Sequence, residues 1–209
     1  MARGRPREFD ADEALDKAVL LFWRQGYEGT SLADLIAAMG ITKPSLYAAF
    51  GNKEELFKKA VDRYAERRIA FLDKILSQPS SRCAIKGFLT MFTGAEAPDG
   101  TPCGCLMVQG ALVCSPDGES VKDDLLSRRM SNAKRLCERL EQWKAAGDLP
   151  RDTDTESLGR YVITVANGLV VQANGGAKPD QLKAVVEQFM ESWPGARNEA
   201  GAAAETRAA

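Results

Sequence analysis

The chain has 209 residues, of which 44% are hydrophobic, which is enough for a folded core and excludes global disorder. Its formal net charge of -1 excludes a general electrostatic attraction to nucleic acid, so any DNA binding must depend on local geometry. The chain contains no histidine, which is the commonest general base and a common metal ligand. We therefore predict no catalytic residues, no metal site, no cofactor and no enzymatic activity.

The sequence also limits the compartment. No apolar run approaches the ~18 residues that a membrane-spanning helix needs. The N-terminus is basic, but no signal-peptide core follows it. We therefore predict a cytoplasmic protein without a membrane partner, in which the five cysteines are thiols.

The first predicted element is a helix that begins after Asp10. Asp10 and Glu13 have the spacing of a capping box, and Gly26 is placed to end the helix. Between them an apolar stripe has the i, i+3, i+4, i+7 spacing of one helix face. It consists of Leu15, Ala18, Val19 and Phe22.

Two short helices follow and meet at a glycine. Thr30 or Ser31 caps the second helix, and Gly40 stops it. Thr42 caps the third helix, and Pro44 falls in its first turn, where the missing N–H costs nothing. This arrangement predicts a helix-turn-helix.

The rest of the chain also has helical periodicity, with no sustained strand alternation. A long helix from Lys53 is expected to direct Phe71 inward. The tail from Gly195 is rich in Ala, Gly and Glu and is predicted to be disordered. The six further helices are predicted over residues 53–77, 82–92, 106–114, 120–146, 155–174 and 179–193.

The outward face of the third helix is thin enough for a DNA groove about 12 Å wide. Leu46 and Phe50 form its buried stripe. Outside that stripe, lysine and serine can bond a base edge or a phosphate, tyrosine can bond a phosphate, and alanine can touch a thymine methyl. These residues are Lys43, Pro44, Ser45, Tyr47, Ala48 and Ala49, and Lys53 follows as a phosphate contact. The alternative is an ordinary helical scaffold whose polar face is only solvated.

An arginine-rich arm precedes this region. Arg3, Arg5 and Arg7 lie within the first seven residues. Such arms can enter the narrow minor groove of A·T-rich DNA, and the alternative is a solvated terminus.

A specific resemblance supports the DNA-binding interpretation over about residues 9–64. One run matches without a gap, and further matches lie upstream of it. The run is Gly40, Ile41, Thr42, Leu46, Tyr47, Phe50, Lys53 and Leu56, and the upstream matches are Ala18, Phe22, Gly26, Tyr27, Thr30, Ser31, Leu35, Ile36 and Ala37. Together they resemble the TetR/AcrR family of one-component repressors.

The resemblance implies an all-α protein of about nine helices. Residues 1–52 would form the arm and the helix-turn-helix DNA-binding domain, and residues 53–194 a helical effector-binding and dimerisation core. Residues 195–209 would be the disordered tail. By position, the resemblance adds Ser31 and Thr42 to the DNA contacts predicted above.

The resemblance also implies a homodimer made by the last two helices, both of which carry strong apolar stripes. The interface residues would include Tyr161, Val165, Leu169, Val185 and Phe189. The effector would be a small, mostly apolar molecule in a cavity between helices. Its lining would include Phe71, Phe88, Met91, Phe92, Leu106, Met107, Met130, Leu136 and Trp143, although plain core packing is an alternative for each.

Three cysteines in the middle of the chain leave alternatives open. Cys103, Cys105 and Cys114 could be small buried residues, thiols that sense electrophiles or oxidants, or ligands for a soft metal such as Cu(I). The sequence thus predicts a homodimeric repressor that binds a palindromic double-stranded operator and is released by an effector. A thiol or soft-metal sensor is the alternative regulator, and an enzyme or a helical adaptor without DNA binding are the rivals from other classes.

Overall fold

A computed structural model describes residues 9–95 and 100–194. Within these residues the fold is all-α, with nine helices and no strand, as the sequence predicts. The predicted disordered tail lies outside the described residues. The helices are α1 (Ala11–Gly29), α2 (Leu32–Met39), α3 (Lys43–Phe50), α4 (Lys53–Leu76), α5 (Ser81–Thr90), α6 (Leu106–Gln109), α7 (Glu119–Ala145), α8 (Thr155–Asn174) and α9 (Pro179–Glu191).

The chain forms two compact units. The first comprises Met1–Ala70 and Pro98–Arg129, and the second Phe71–Ala97 and Met130–Ala209. Helices α4 and α7 each contribute to both units. The first unit is therefore larger than the predicted DNA-binding domain of residues 1–52, because it also holds most of α4, all of α6 and the start of α7.

Side-chain caps set several helix starts, and those of α1, α2 and α3 are at predicted residues. The Asp10 carboxylate accepts hydrogen bonds from the Asp12 and Glu13 amides at 2.8 and 3.1 Å. Ser31, not Thr30, caps α2, and Asp154 caps α8 by accepting from two amides. These side chains satisfy amides that have no partner inside the helix.

Helix α6 is shorter than predicted. The predicted helix of residues 106–114 ends at Gln109, because the Gly110 carbonyl accepts the Tyr27 amide at 2.7 Å and the chain then turns away. Leu112 and Val113 are 53% and 86% exposed. The apolar run therefore does not form a buried helical face beyond α6.

Phe71 is a second correction. Its side chain is 44% exposed, so the prediction that it faces inward along α4 is wrong for the single chain. α5 and α9 both end before the predicted boundary, with Thr90 and Glu191 as their last residues.

Each unit has an aromatic core. In the first, Phe57 packs edge-on against Phe22 and Tyr27, with ring centroids 4.9 and 5.2 Å apart. In the second, Trp143 is almost fully buried, and its indole N–H donates to the Gln78 carbonyl at 3.0 Å. Burial of such large apolar side chains is the main force that holds helices together.

Candidate nucleic-acid interface

Helix α3 presents a thin polar face. Leu46 and Phe50 are buried, while Tyr47 is 43% exposed and Lys43 is exposed. The Thr42 hydroxyl accepts the Ser45 amide at 3.3 Å and lies 2.9 Å from the Ser45 hydroxyl. The predicted outward residues are therefore brought together on the exposed side of one short helix.

Helix α2 braces α3 through a tight glycine turn. Ser31 and Asp34 form a reciprocal capping box at the start of α2. Gly40 has φ +68°, a left-handed conformation that favours glycine, and it lets the Ile41 amide bond back to the Ile36 carbonyl at 3.3 Å. The two helices thus meet in a defined helix-turn-helix geometry.

The turn from α3 to α4 is closed by a second capping box. The Asn52 amide donates to the Glu55 carboxylate, and the Glu55 amide donates to the Asn52 side chain, both at 2.9 Å. Lys59 donates to the Phe50 carbonyl at 3.1 Å, where a cation is favoured at a helix C-terminus. The sequence interpretation missed Lys59, because its contact with Phe50 depends on the turn between α3 and α4.

We expect Gly51→Ala to destabilise this turn. Gly51 has φ +81°, and an added Cβ would lie 1.8 Å from a Glu55 carboxylate oxygen that caps Asn52. With ψ −148° the backbone lies in a region that only glycine adopts readily, and this strain alone costs about 1–3 kcal/mol. Urea unfolding should show a loss of this size. Gly29→Ala is the matched control, since its Cβ would make only an ordinary 3.7 Å contact with Gln25. Equal stability of the two variants would contradict this account of the turn.

Lys53, a predicted phosphate contact, is partly withdrawn from solvent. Its ammonium lies 4.4 Å from the centre of the Tyr27 ring. Burial lowers the pKa of Lys53, although the nearby Glu28 and Cys114 oppose that effect. Its cation is therefore attracted both to the ring and to any phosphate at the start of α4.

The other predicted DNA contacts fall into two groups. The Ser31 and Thr42 hydroxyls are engaged as helix caps. Arg3, Arg5 and Arg7 lie outside the described residues, so their minor-groove role stays a prediction.

An ion-pair cluster joins α1 to α4. Arg63 and Arg67 both bond the Asp16 carboxylate, at 3.0 Å and 2.7 Å. Burial alone would raise the pKa of Asp16, but the hydrogen bonds and charges of the two arginines outweigh it and lower that pKa. The sequence interpretation missed this cluster, since its members are far apart in the chain.

The lowered pKa of Asp16 predicts a pH-dependent contribution to stability. A carboxyl group whose pKa is lower when folded stabilises the fold above its unfolded pKa, about 3.9, and loses that effect as pH falls through the folded pKa. Since the pair is partly exposed, Asp16→Asn should cost about 1 kcal/mol at pH 7 and progressively less below pH ~4. Urea unfolding at both pH values tests this, with the more exposed Asp12→Asn as control. A cost that does not shrink in acid would exclude ionisation as its source.

The predicted effector-lining residues occupy different environments. Leu106 is buried and Met107 partly buried in the first unit. Met130 is 65% exposed, and Phe71 is exposed as well. In the second unit, Leu136 and Trp143 belong to the buried core, against which Phe88, Met91 and Phe92 pack partly buried.

The three cysteines also differ. Cys103 is exposed, while Cys105 is buried and its sulfur lies 3.3 Å from the Tyr64 hydroxyl. Burial, then the Glu28 charge, raises the pKa of Cys114, which disfavours a reactive thiolate. In the part of the chain that the structure describes, no group of three acidic or cysteine side chains is placed to hold a metal ion.

Helices α8 and α9 border an apolar groove of about 740 Å³. Val165, Leu169 and Val185 are among its lining residues, and Val185 is 48% exposed. Tyr161 is also 48% exposed and packs on Phe189, with ring centroids 4.8 Å apart. Leu169 and Phe189 are buried in the protomer, so of the five predicted interface residues Tyr161 and Val185 are exposed and Val165 is partly exposed.

Comparison with known proteins identifies the family. A family model described as "Bacterial regulatory proteins, tetR family" matches residues 14–60. The HTH-type transcriptional repressor ComR of Escherichia coli (strain K12) is 36% identical over 195 residues, covering 92% of this chain and 93% of ComR. The chain belongs to the TetR family of transcriptional regulators. A second relative, the HTH-type transcriptional repressor BdcR of the same strain, is 31% identical over 181 residues. The match covers 86% of this chain and 86% of BdcR.

A solved TetR-family structure gives the same architecture. A cysteine mutant of the regulator CifR, complexed with 26-base-pair operator DNA, is 42% identical, with a TM-score of 0.87, and the match covers 91% of this chain and all of that one. The chain is thus a TetR-family DNA-binding transcriptional repressor with an N-terminal helix-turn-helix, as the sequence predicted. None of the described helices is long and apolar enough to cross a bilayer.

Proposed function

We propose that this repressor acts in the cytoplasm as a homodimer that binds a palindromic operator and is released by a small, mostly apolar effector. The observation that carries the proposal is the exposed face of α3, where Lys43 and Tyr47 point outward over the buried Leu46 and Phe50. A helix of this shape fits the major groove, and its neighbour α2 braces it against the backbone.

The assignment of roles follows from side-chain chemistry. Lys43 contacts a guanine edge or a phosphate, and Tyr47 a phosphate. Ala48 touches a thymine methyl, while Ala49 is partly buried and contributes shape. Since these residues read few bases, one α3 has little specificity, and DNA shape contributes to operator choice.

A homodimer supplies the missing specificity. Two copies of α3 about one helical turn apart read both halves of a palindrome. The exposed apolar side chains of Tyr161, Val171 and Val185 support α8 and α9 as the dimer surface, since monomers seldom leave such a patch on two adjacent helices.

Effector release is a shift between two conformations. An effector favours a state that binds operator poorly only to the extent that it binds that state better. Operator and effector must then weaken each other by the same factor. The apolar effector follows from the family resemblance, and Phe88 and Phe92, with ring centroids 5.3 Å apart, pack partly buried against the core of the second unit. The raised pKa of Cys114 and the burial of Cys105 disfavour these two thiols as sensors, whereas Cys103 is exposed.

Selection of bound duplexes from a random DNA pool tests the function directly. We expect a palindromic consensus, bound by the full-length protein with an affinity that falls steeply as salt rises. Failure to enrich any sequence, with no salt-dependent binding, would support the adaptor rival. Saturable turnover of a substrate would support an enzyme.

A further inference from the structure

Two backbone groups near the end of α1 form hydrogen bonds with residues 109–110, where α6 ends. In an uninterrupted helix the Tyr27 N–H would bond the Trp23 carbonyl four residues earlier. Here Gly26 leaves helical geometry, with φ 70° and ψ 178°. The Trp23 carbonyl and the Tyr27 amide form what we call the α1 rung.

Both groups of the α1 rung bond to two consecutive residues of the other segment. The Tyr27 N–H donates to the Gly110 carbonyl at 2.7 Å. The Gln109 side-chain amide donates to the Trp23 carbonyl at 2.9 Å. The chain of residues 109–110 therefore takes the place of one intrahelical hydrogen bond, and all four groups lie within the first unit.

The docked arrangement is incompletely satisfied. The Trp23 indole N–H and the second Gln109 side-chain polar atom, Oε1, are buried without a hydrogen-bond partner among the described residues. Unpaired buried polar groups disfavour the state that contains them. Beyond Gly110, Ala111 is buried, whereas Leu112 and Val113 are exposed and their side chains do not hold this stretch in place. Docking is therefore supported by the burial of Gly110 and Ala111 and opposed by the two unpaired groups.

A second state is available to the same residues. If residues 109–110 withdraw, the Tyr27 N–H can return to the Trp23 carbonyl, and Gly26 can adopt helical dihedrals, since glycine populates both regions readily. Residues 27–29 would then rotate with the continued helix. Tyr27 would then lose its contacts with Phe57 and Lys53 near the start of α4. The direction in which the chain enters α2 at Ser31 would change.

We propose that the α1 rung is a two-state switch, in which docking of residues 109–110 holds the helix-turn-helix in its operator-binding geometry and withdrawal releases it. The inference rests on the proposed function and adds to it a named path by which a change near α6 reaches the reading head. Gln109 and Gly110 are positioning residues here, because they act on DNA binding only through α1.

Substitutions at Gly26 test the switch. Alanine disfavours φ +70° and therefore favours the state in which the Tyr27 N–H bonds the Trp23 carbonyl. Gly26→Ala should thus weaken operator binding about tenfold. Asparagine gives no relief, because its tolerance of positive φ is confined to the left-handed α region and Gly26 has ψ 178°, so Gly26→Asn should give a similar loss. Gly29→Ala, on the same helix, is the matched control and should bind as the wild type does.

The structural readout is the acceptor of the Tyr27 amide. Through-hydrogen-bond NMR coupling should join Tyr27 to Gly110 in the wild type and to Trp23 in Gly26→Ala. In the wild type, adding the selected operator duplex should strengthen the Tyr27–Gly110 coupling at the expense of the Tyr27–Trp23 coupling, because binding to one state favours it. Retention of the Tyr27–Gly110 coupling in Gly26→Ala would overturn the switch, as would wild-type operator affinity in that variant. Failure of the wild type to bind any selected duplex would instead overturn the proposed function.

Discussion

Replacing Lys43 and Tyr47 by alanine should lower operator affinity by about 100-fold or more while leaving the dimer and the fold intact. Both side chains are exposed, so their removal leaves no cavity. Each contact to DNA contributes about 1–3 kcal/mol, and the dimer loses every contact twice. Fluorescence anisotropy with the selected operator measures the loss.

The salt dependence of the single variants separates the two possible roles of Lys43. If Lys43 binds phosphate, Lys43→Ala should weaken binding to all duplexes alike and reduce the salt slope by about two for a dimer. If it binds a guanine edge, specificity at one operator position should relax instead. Lys134→Ala, an exposed lysine of α7, is the charge-matched control. Retention of binding by both Lys43→Ala and Tyr47→Ala would show that α3 is not the reading helix.

Local signals explain why the DNA-binding half was predictable. The caps at Asp10, Ser31 and Thr42 and the stop at Gly40 depend on neighbours within four residues. The spacing of residues in the sequence is therefore enough to predict such contacts. The third helix and its exposed face were accordingly predicted residue by residue.

Long-range contacts explain what the sequence could not reveal. Helix α6 ends where the Tyr27 amide of α1 donates to the Gly110 carbonyl, and no pattern in residues 106–114 predicts that hydrogen bond. The Asp16 cluster likewise depends on the packing of α1 against α4. Lys53 was predicted from its position at a helix start, but its contact with the Tyr27 ring arises from the tertiary fold.

Introducing a charge into the α8–α9 groove should separate the dimer. Val185 lines this groove and is 48% exposed in the single chain, so Val185→Glu should leave the protomer folded. In a symmetric dimer the same residue occurs on both subunits, which places two uncompensated carboxylates in one apolar interface. Burying such charges costs several kcal/mol, which converts to a loss of at least 100-fold in dimer affinity.

Sedimentation of Val185→Glu should therefore give the mass of a monomer at concentrations where the wild type is a dimer. Val113→Glu is the matched control, since Val113 is 86% exposed and lies on neither α8 nor α9. Operator binding should fall together with dimerisation, because a single α3 reads too few bases to select a site. If the variant stays dimeric but loses operator binding, α8 and α9 are not the interface. If it becomes monomeric and still binds its palindrome tightly, the dimer is not the source of specificity, and α3 must read more than its small side chains suggest.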